Sequence, residues 1–138
     1  MASNQNAITT QAASSFSYSR RVDIVLWVVQ GLLALIFVGA GVAKLLGNAY
    51  MVAIFEAIGI GQWFRYVTGI FEVTGALLIV LSKTRVLGAG LLAGVMIGAT
   101  VAHLFVLHSS PVAALVLLAL AGVVLWGRRR ELMLFLNR

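Results

Sequence analysis

The sequence contains no cysteine, which excludes thiol–disulfide exchange, iron–sulfur clusters and thiolate zinc sites from the chain itself. Charge is scarce as well. Only 10% of residues are Asp, Glu, Lys or Arg, against roughly 25% in an ordinary soluble domain. With 62% apolar residues and a mean hydropathy of +1.05, the chain has too little polar surface to face water and falls in the membrane class. Histidines number two and carboxylates four. Bis-histidine haem needs axial ligands on facing helices, whereas His103 and His108 are close neighbours and His108 falls in a loop. A zinc or di-iron centre needs more ligands in one layer than the chain supplies. No glycine-rich phosphate loop follows a strand and no Ser-His-Asp set is recognisable. No catalytic residue and no metal site is therefore expected, and the chain is not expected to be an enzyme on its own.

What the sequence does contain is long apolar runs. Residues 22–46, 64–82, 85–107 and 111–126 form four of them. The first makes a helix of about 37 Å, enough to cross a ~30 Å hydrocarbon layer with tilt. The fourth is short for a span; Pro111 suits its first turn, and Trp126 with a snorkelling Arg128 would anchor its far end. The expected architecture is all-α, an integral membrane four-helix bundle over residues 20–127. Residues 1–19, polar and uncharged, read as a disordered tail, and 128–138 as a basic amphipathic tail with Leu132, Phe135 and Leu136 on one face. Arg20 and Arg21 ahead of the first run also fit a cleaved signal sequence, but the run continues well past a normal h-region, so retention is expected.

The net charge is +6, carried at the ends of apolar runs rather than on one polar face. That pattern points to anionic lipid and to topology, not to nucleic acid. With four crossings, Arg20, Arg21, Lys83, Arg85, Arg128, Arg129, Arg130 and Arg138 fall on one side and only Lys44 and Arg65 on the other. The positive-inside rule then places both termini in the cytoplasm of a cell-membrane protein. Between the first two spans, Met51, Ile54, Phe55 and Ile58 recur at helical spacing, so 48–61 reads as a short amphipathic connector, on the interface or tucked between spans, ended by Gly59 and Gly61.

Gly90, Gly94, Gly98 and Ala102 place a small residue at every fourth position of the third span. Such a stripe permits close helix packing, within the chain or in a homo-oligomer, and makes the third helix the expected centre of the bundle. Three ionisable residues lie inside spans: Lys44, Glu72 and His103. Counting helix rise from the outer ends puts them roughly 3, 12 and 6 Å deep, all in the outer half. Gln30, Phe37 and Lys44 share one face of their helix; Arg65, Thr68 and Glu72 share one of theirs; Thr100 and Met96 lie below His103. One reading is a cavity lined by Phe37, Thr68, Glu72, Thr100 and His103, with Lys44 at its mouth, that takes a quinone or isoprenoid-type lipid head. The other is a structural ion pair of Glu72 with Lys44 or Arg65, an interfacial His103 and a snorkelling Lys44. A small proton-coupled transporter using Glu72 is a third.

Three stretches resemble the DoxX-like membrane proteins: Gly39-Ala40-Gly41-Val42-Ala43-Lys44-Leu45 at the end of the first span, Arg65 through Ala76 opening the second with its arginine, glycine and glutamate, and Ala99-Thr100-Val101-Ala102-His103-Leu104 followed by Ser110-Pro111. The resemblance covers about residues 22–127. It implies a four-helix integral membrane protein and carries over Lys44, Arg65, Glu72 and His103 as site candidates. Some members are small subunits of quinone-linked membrane oxidoreductases, and distant relatives resemble assembly chaperones. The resemblance thus implies an accessory subunit with a membrane or peripheral protein partner and a bound quinone or lipid rather than a resident redox cofactor.

Overall fold

Helix α1 (Ala2–Leu45) carries the first apolar run and continues it back toward the amino terminus. The computed structural model describes the backbone of residues 2–137 and the side chains of 19–131, 133, 134 and 137. The segment expected as a disordered tail falls on 1–19, where the side chains of 1–18 lie outside the described residues. Leu132, Phe135 and Leu136 also lie outside them. No Gly or Pro precedes Gly31, so a helix nucleated in the apolar run meets no residue that would stop its extension.

The remaining elements are α2 (Ala49–Ile58), α3 (Gln62–Val80), α4 (Arg85–Phe105), α5 (Val112–Gly127) and α6 (Arg129–Leu136). All described elements are helices. Three are long and apolar enough to cross a membrane: Ser19–Leu45 within α1, α3 and α4. Helix α5 is apolar but has 16 residues, a length of about 24 Å. Apart from the start of α1, the boundaries differ from the apolar runs by about a turn or less, as frayed ends do.

Gly47, at φ 72°, ends α1. Its N–H reaches Lys44 O at 3.2 Å and that of Asn48 reaches Ala43 O at 3.0 Å, the paired bonds of a Schellman turn. Asn48 then caps α2, its side chain accepting from the Tyr50 N–H at 3.0 Å. Gly59, at φ 79°, closes the helix. The connector is thus a capped amphipathic helix, and Met51, Ile54, Phe55 and Ile58 turn inward over one end of the bundle.

Helix α1 packs on α3, α3 on α4, α4 on α5, and α5 returns to α1. Their buried core includes Leu33, Phe37, Ala76, Ile79, Leu92, Met96 and Val124. Three crossings are close enough to require glycine. A Cβ at Gly41 would stand 2.9 Å from Gly69 O, and one at Gly75 would stand 2.7 Å from Leu92 Cδ2, while at Gly88 it would strike the Ile79 backbone. At the third crossing, between α1 and α5, a Cβ on Gly127 would stand 2.6 Å from Leu26 Cδ1; α3 holds two of the three, and the four helices close a ring rather than surround the third span α4.

The expected packing stripe behaves differently. Gly90, Gly94 and Gly98 are exposed, and nothing lies within 4 Å of a Cβ built on any of them. A four-residue repeat puts small residues on one face, but here that face borders open space within the chain. The tight contacts fall on glycines of the other faces.

Candidate functional site

The stripe faces a cleft of about 730 Å³ bounded by α1, α3, α4 and α5 and roofed by α2. Its walls are apolar: Ile36 and Phe37 from α1, Phe64, Val67 and Phe71 from α3, Met96 from α4 and Leu117 from α5. Gly90, Gly94 and Gly98 form an edge without side chains, and because they are exposed the cleft opens sideways there.

Polar groups gather at the end under α2. Glu72 is 2% exposed. Lys44 Nζ donates to its two carboxylate oxygens at 2.8 and 3.0 Å. Lys44 does not snorkel; its side chain is 12% exposed, because the buried carboxylate offers a stronger partner than the boundary does. A carboxylate taken from water into this setting persists as an ion only when paired. The seven-residue repeat of Gln30, Phe37 and Lys44 marks the inward face of α1: Gln30 and Phe37 are buried, and Gln30 Nε2 donates to Ile79 O at 3.0 Å.

Arg65 does not join the pair. It is 4% exposed; Nη1 donates to Lys44 O, and Nε to Gln62 Oε1 at 2.8 Å. Its guanidinium lies 4.3 Å from the Tyr66 ring centroid. It therefore sits on the carbonyl end of α1, where a cation is favoured, and holds the backbone of Lys44 rather than the ligand space. Thr68 lines the cleft, with its hydroxyl shared between Phe64 O (3.1 Å) and Arg65 O (3.0 Å). Thr100 donates to Met96 O at 2.7 Å and lies outside the cleft lining. His103 is at the wall, with Nδ1 2.8 Å from Ser109 Oγ. Whichever partner carries that proton, the second ring nitrogen remains to donate or accept. His108 and Glu56 are exposed.

Five of the seven sequence candidates thus meet at one cleft: Phe37, Lys44, Thr68, Glu72 and His103. Arg65 and Thr100 support it from outside. The sequence reading passed over Phe64, Val67 and Phe71, although with Thr68 their spacing is that of one helical face, and it took the glycine stripe for packing. It also missed the far end of the bundle. There Arg85 donates to Glu131 at 2.7 and 2.6 Å, and Arg128 reaches back from the end of α5 to Asp23 of α1 at 2.5 Å. Arg128 is therefore folded inward and does not snorkel outward.

The arrangement can hold an amphiphile. The paired Lys44 and Glu72 carry no net charge together, Lys44 keeps a third N–H, and His103 supplies one further polar atom. A carbonyl or hydroxyl head would be met at this end and an apolar tail along the rest. Among the described residues no group of three or more histidines or carboxylates is placed to share a metal ion. A family model, described as the DoxX-like family, matches residues 28–126. No curated protein and no solved structure matches the chain.

Proposed function

The chain belongs to the DoxX-like family, and from that premise we propose that it is a four-span membrane protein that binds a quinone or isoprenoid-type lipid by its polar head. The observation that carries the proposal is the cleft: about 730 Å³, within the roughly 300–1,000 Å³ of small-molecule sites, apolar along its length and polar only beside Lys44, Glu72 and His103. The exposed glycine edge supports lateral access for a tail from the bilayer.

In this reading α5 is the fourth crossing, its shortness met by local thinning of the bilayer. The excess of Lys and Arg at the end bearing Lys83, Arg85 and Arg128–Arg130 supports a cell-membrane protein with both termini in the cytoplasm. The chain performs no reaction of its own. It presents or retains the lipid as an accessory subunit for a membrane redox or assembly complex.

Native mass spectrometry of the detergent-extracted protein tests this, because it reports bound lipid and stoichiometry together. The wild type should retain an isoprenoid-class adduct that Glu72→Gln and Lys44→Ala both lose while still inserting. Adducts unchanged in both variants would remove the head-group site.

One observation favours a second reading. Glu72 is buried yet lines a cleft that opens sideways, so it could exchange Lys44 for a proton or a cationic substrate as a small transporter does. Substrate-driven proton movement in proteoliposomes, lost in Glu72→Gln, would select this reading. Absence of flux under any gradient would retire it.

A further inference from the structure

At the end of the bundle opposite the Lys44–Glu72 pair, Arg128 follows α5 and leads into α6. Its side chain is 10% exposed. Nη1 donates to Asp23 Oδ1 at 2.5 Å, and Glu131 Oε1 stands 3.8 Å from the same nitrogen. Nε and Nη2 are buried and have no acceptor among the described residues. Those two nitrogens form one edge of the guanidinium, the fork whose parallel N–H groups match two oxygens of a phosphate or carboxylate. A buried charged donor without an acceptor keeps its full desolvation penalty, so this edge is the least satisfied cationic group in the described structure.

A cavity of about 320 Å³ adjoins it, with Ser19, Arg20, Asp23, Leu26 and Arg128 in its wall. Arg20 is exposed and stands in no ion pair with the described residues. Asp23 is the only acid among the described residues of the wall, and Arg128 Nη1 is paired with it. Arg20 and Arg128 outnumber Asp23 in the described wall, and Glu131, 3.8 Å from Arg128 Nη1, is itself bonded to Arg85. Arg128 lines the cavity, while its Nε and Nη2 have no accessible surface of their own, so an anion engages them only when the guanidinium turns about the Nη1–Asp23 contact.

We propose that this cavity binds a phosphate oxyanion, held side-on by Nε and Nη2 of Arg128, with Arg20 as the second cation and the Ser19 hydroxyl as a further donor. An acidic phospholipid headgroup and a free phosphate share this chemistry. Lys83, Arg129 and Arg130 at the same end of the bundle would draw the protein to an anionic leaflet. The proposal does not depend on what occupies the cleft at the other end.

The full chain, delipidated in neutral detergent, is titrated with short-chain phosphatidylglycerol, with diacylglycerol of the same chain length, and with inorganic phosphate. Binding is read by native mass spectrometry. Phosphatidylglycerol should bind and diacylglycerol should not. Arg128→Lys keeps a cation for Asp23 but has no fork, so it should weaken binding about tenfold or more with little change in melting temperature. Arg20→Gln, which disturbs no ion pair among the described residues, should weaken it severalfold and decides the matter if Arg128→Lys fails to fold. Inorganic phosphate bound with the same dependence on both variants would make the source a soluble anion. Phosphatidylglycerol binding unchanged in both, no binding of either phosphate probe, or an equal loss in Arg130→Gln, the signature of diffuse surface attraction, would overturn the site.

Discussion

Lys44 Nζ lies 2.8 Å from one carboxylate oxygen of Glu72 and 3.0 Å from the other, joining the last turn of α1 to the middle of α3 across the wall of the cleft. Both chains are largely removed from solvent, at 12% and 3% side-chain exposure. Removing one partner of such a pair leaves the other as a buried, uncompensated charge, whereas removing both leaves only an apolar gap.

Lys44→Ala should therefore destabilise the protein by about 3 kcal/mol, and Lys44→Met with Glu72→Leu should recover most of that loss. Thermal unfolding in detergent checks both. If the double variant is stable but no longer retains lipid, the pair serves binding. If it is stable and retains lipid, the pair serves only to set the register of α1 against α3.

Arg65 gives a separate expectation, because it holds the Lys44 carbonyl and Gln62 rather than the carboxylate. Arg65→Ala should cost about 1–2 kcal/mol through the lost charged hydrogen bonds at the end of α1. Arg65→Lys should recover only part, since an ammonium cannot serve Lys44 O and Gln62 Oε1 in the same fork. Melting temperatures of the two variants test this ordering.

Glycine substitutions should separate packing from lining. Gly88→Ala drives a methyl into the Ile79 backbone and Gly75→Ala meets Leu92, so each should destabilise by about 1–3 kcal/mol or fail to insert. Gly94→Ala meets nothing within 4 Å and should be neutral. Gly94→Leu should leave the melting temperature near wild type while occupying cleft volume and displacing bound lipid, read as loss of the adduct. A large drop in stability for Gly94→Leu would mean that this face is already packed.

The absence of native cysteine makes topology directly measurable. Ser82→Cys, in the turn between α3 and α4, and Ser110→Cys, between α4 and α5, both replace exposed serines. A membrane-impermeant maleimide added outside intact cells should label Ser110→Cys and spare Ser82→Cys. Labelling of both from one side would show that α4 does not cross.

Much of the cleft's lining was legible in the sequence. Depth along each helix brought Lys44, Glu72 and His103 to the same half of the membrane, and the seven-residue repeat from Gln30 marked the inward face of α1. What depth could not settle was pairing. Lys44 and Arg65 were both plausible partners for Glu72, and the choice depended on Arg65 meeting the carbonyl end of α1, where Lys44 O accepts from it beside the Gly47 N–H, a backbone feature that appears only once Gly47 has turned the chain. The Asp23–Arg128 and Arg85–Glu131 contacts join distant parts of the chain, beyond the reach of any local pattern.

Composition and periodicity by themselves determined that the chain is helical, that it partitions into lipid, and which residues share each helical face, because hydrocarbon forces every backbone polar group into a local hydrogen bond and helical spacing is a one-dimensional property. Which neighbour each face meets is a three-dimensional property, and only the tertiary structure decided it. The same four-residue spacing of small side chains would serve a close crossing or an open cleft. The difference lies in whether another helix occupies the space beside Gly90, Gly94 and Gly98, and among the described residues none does.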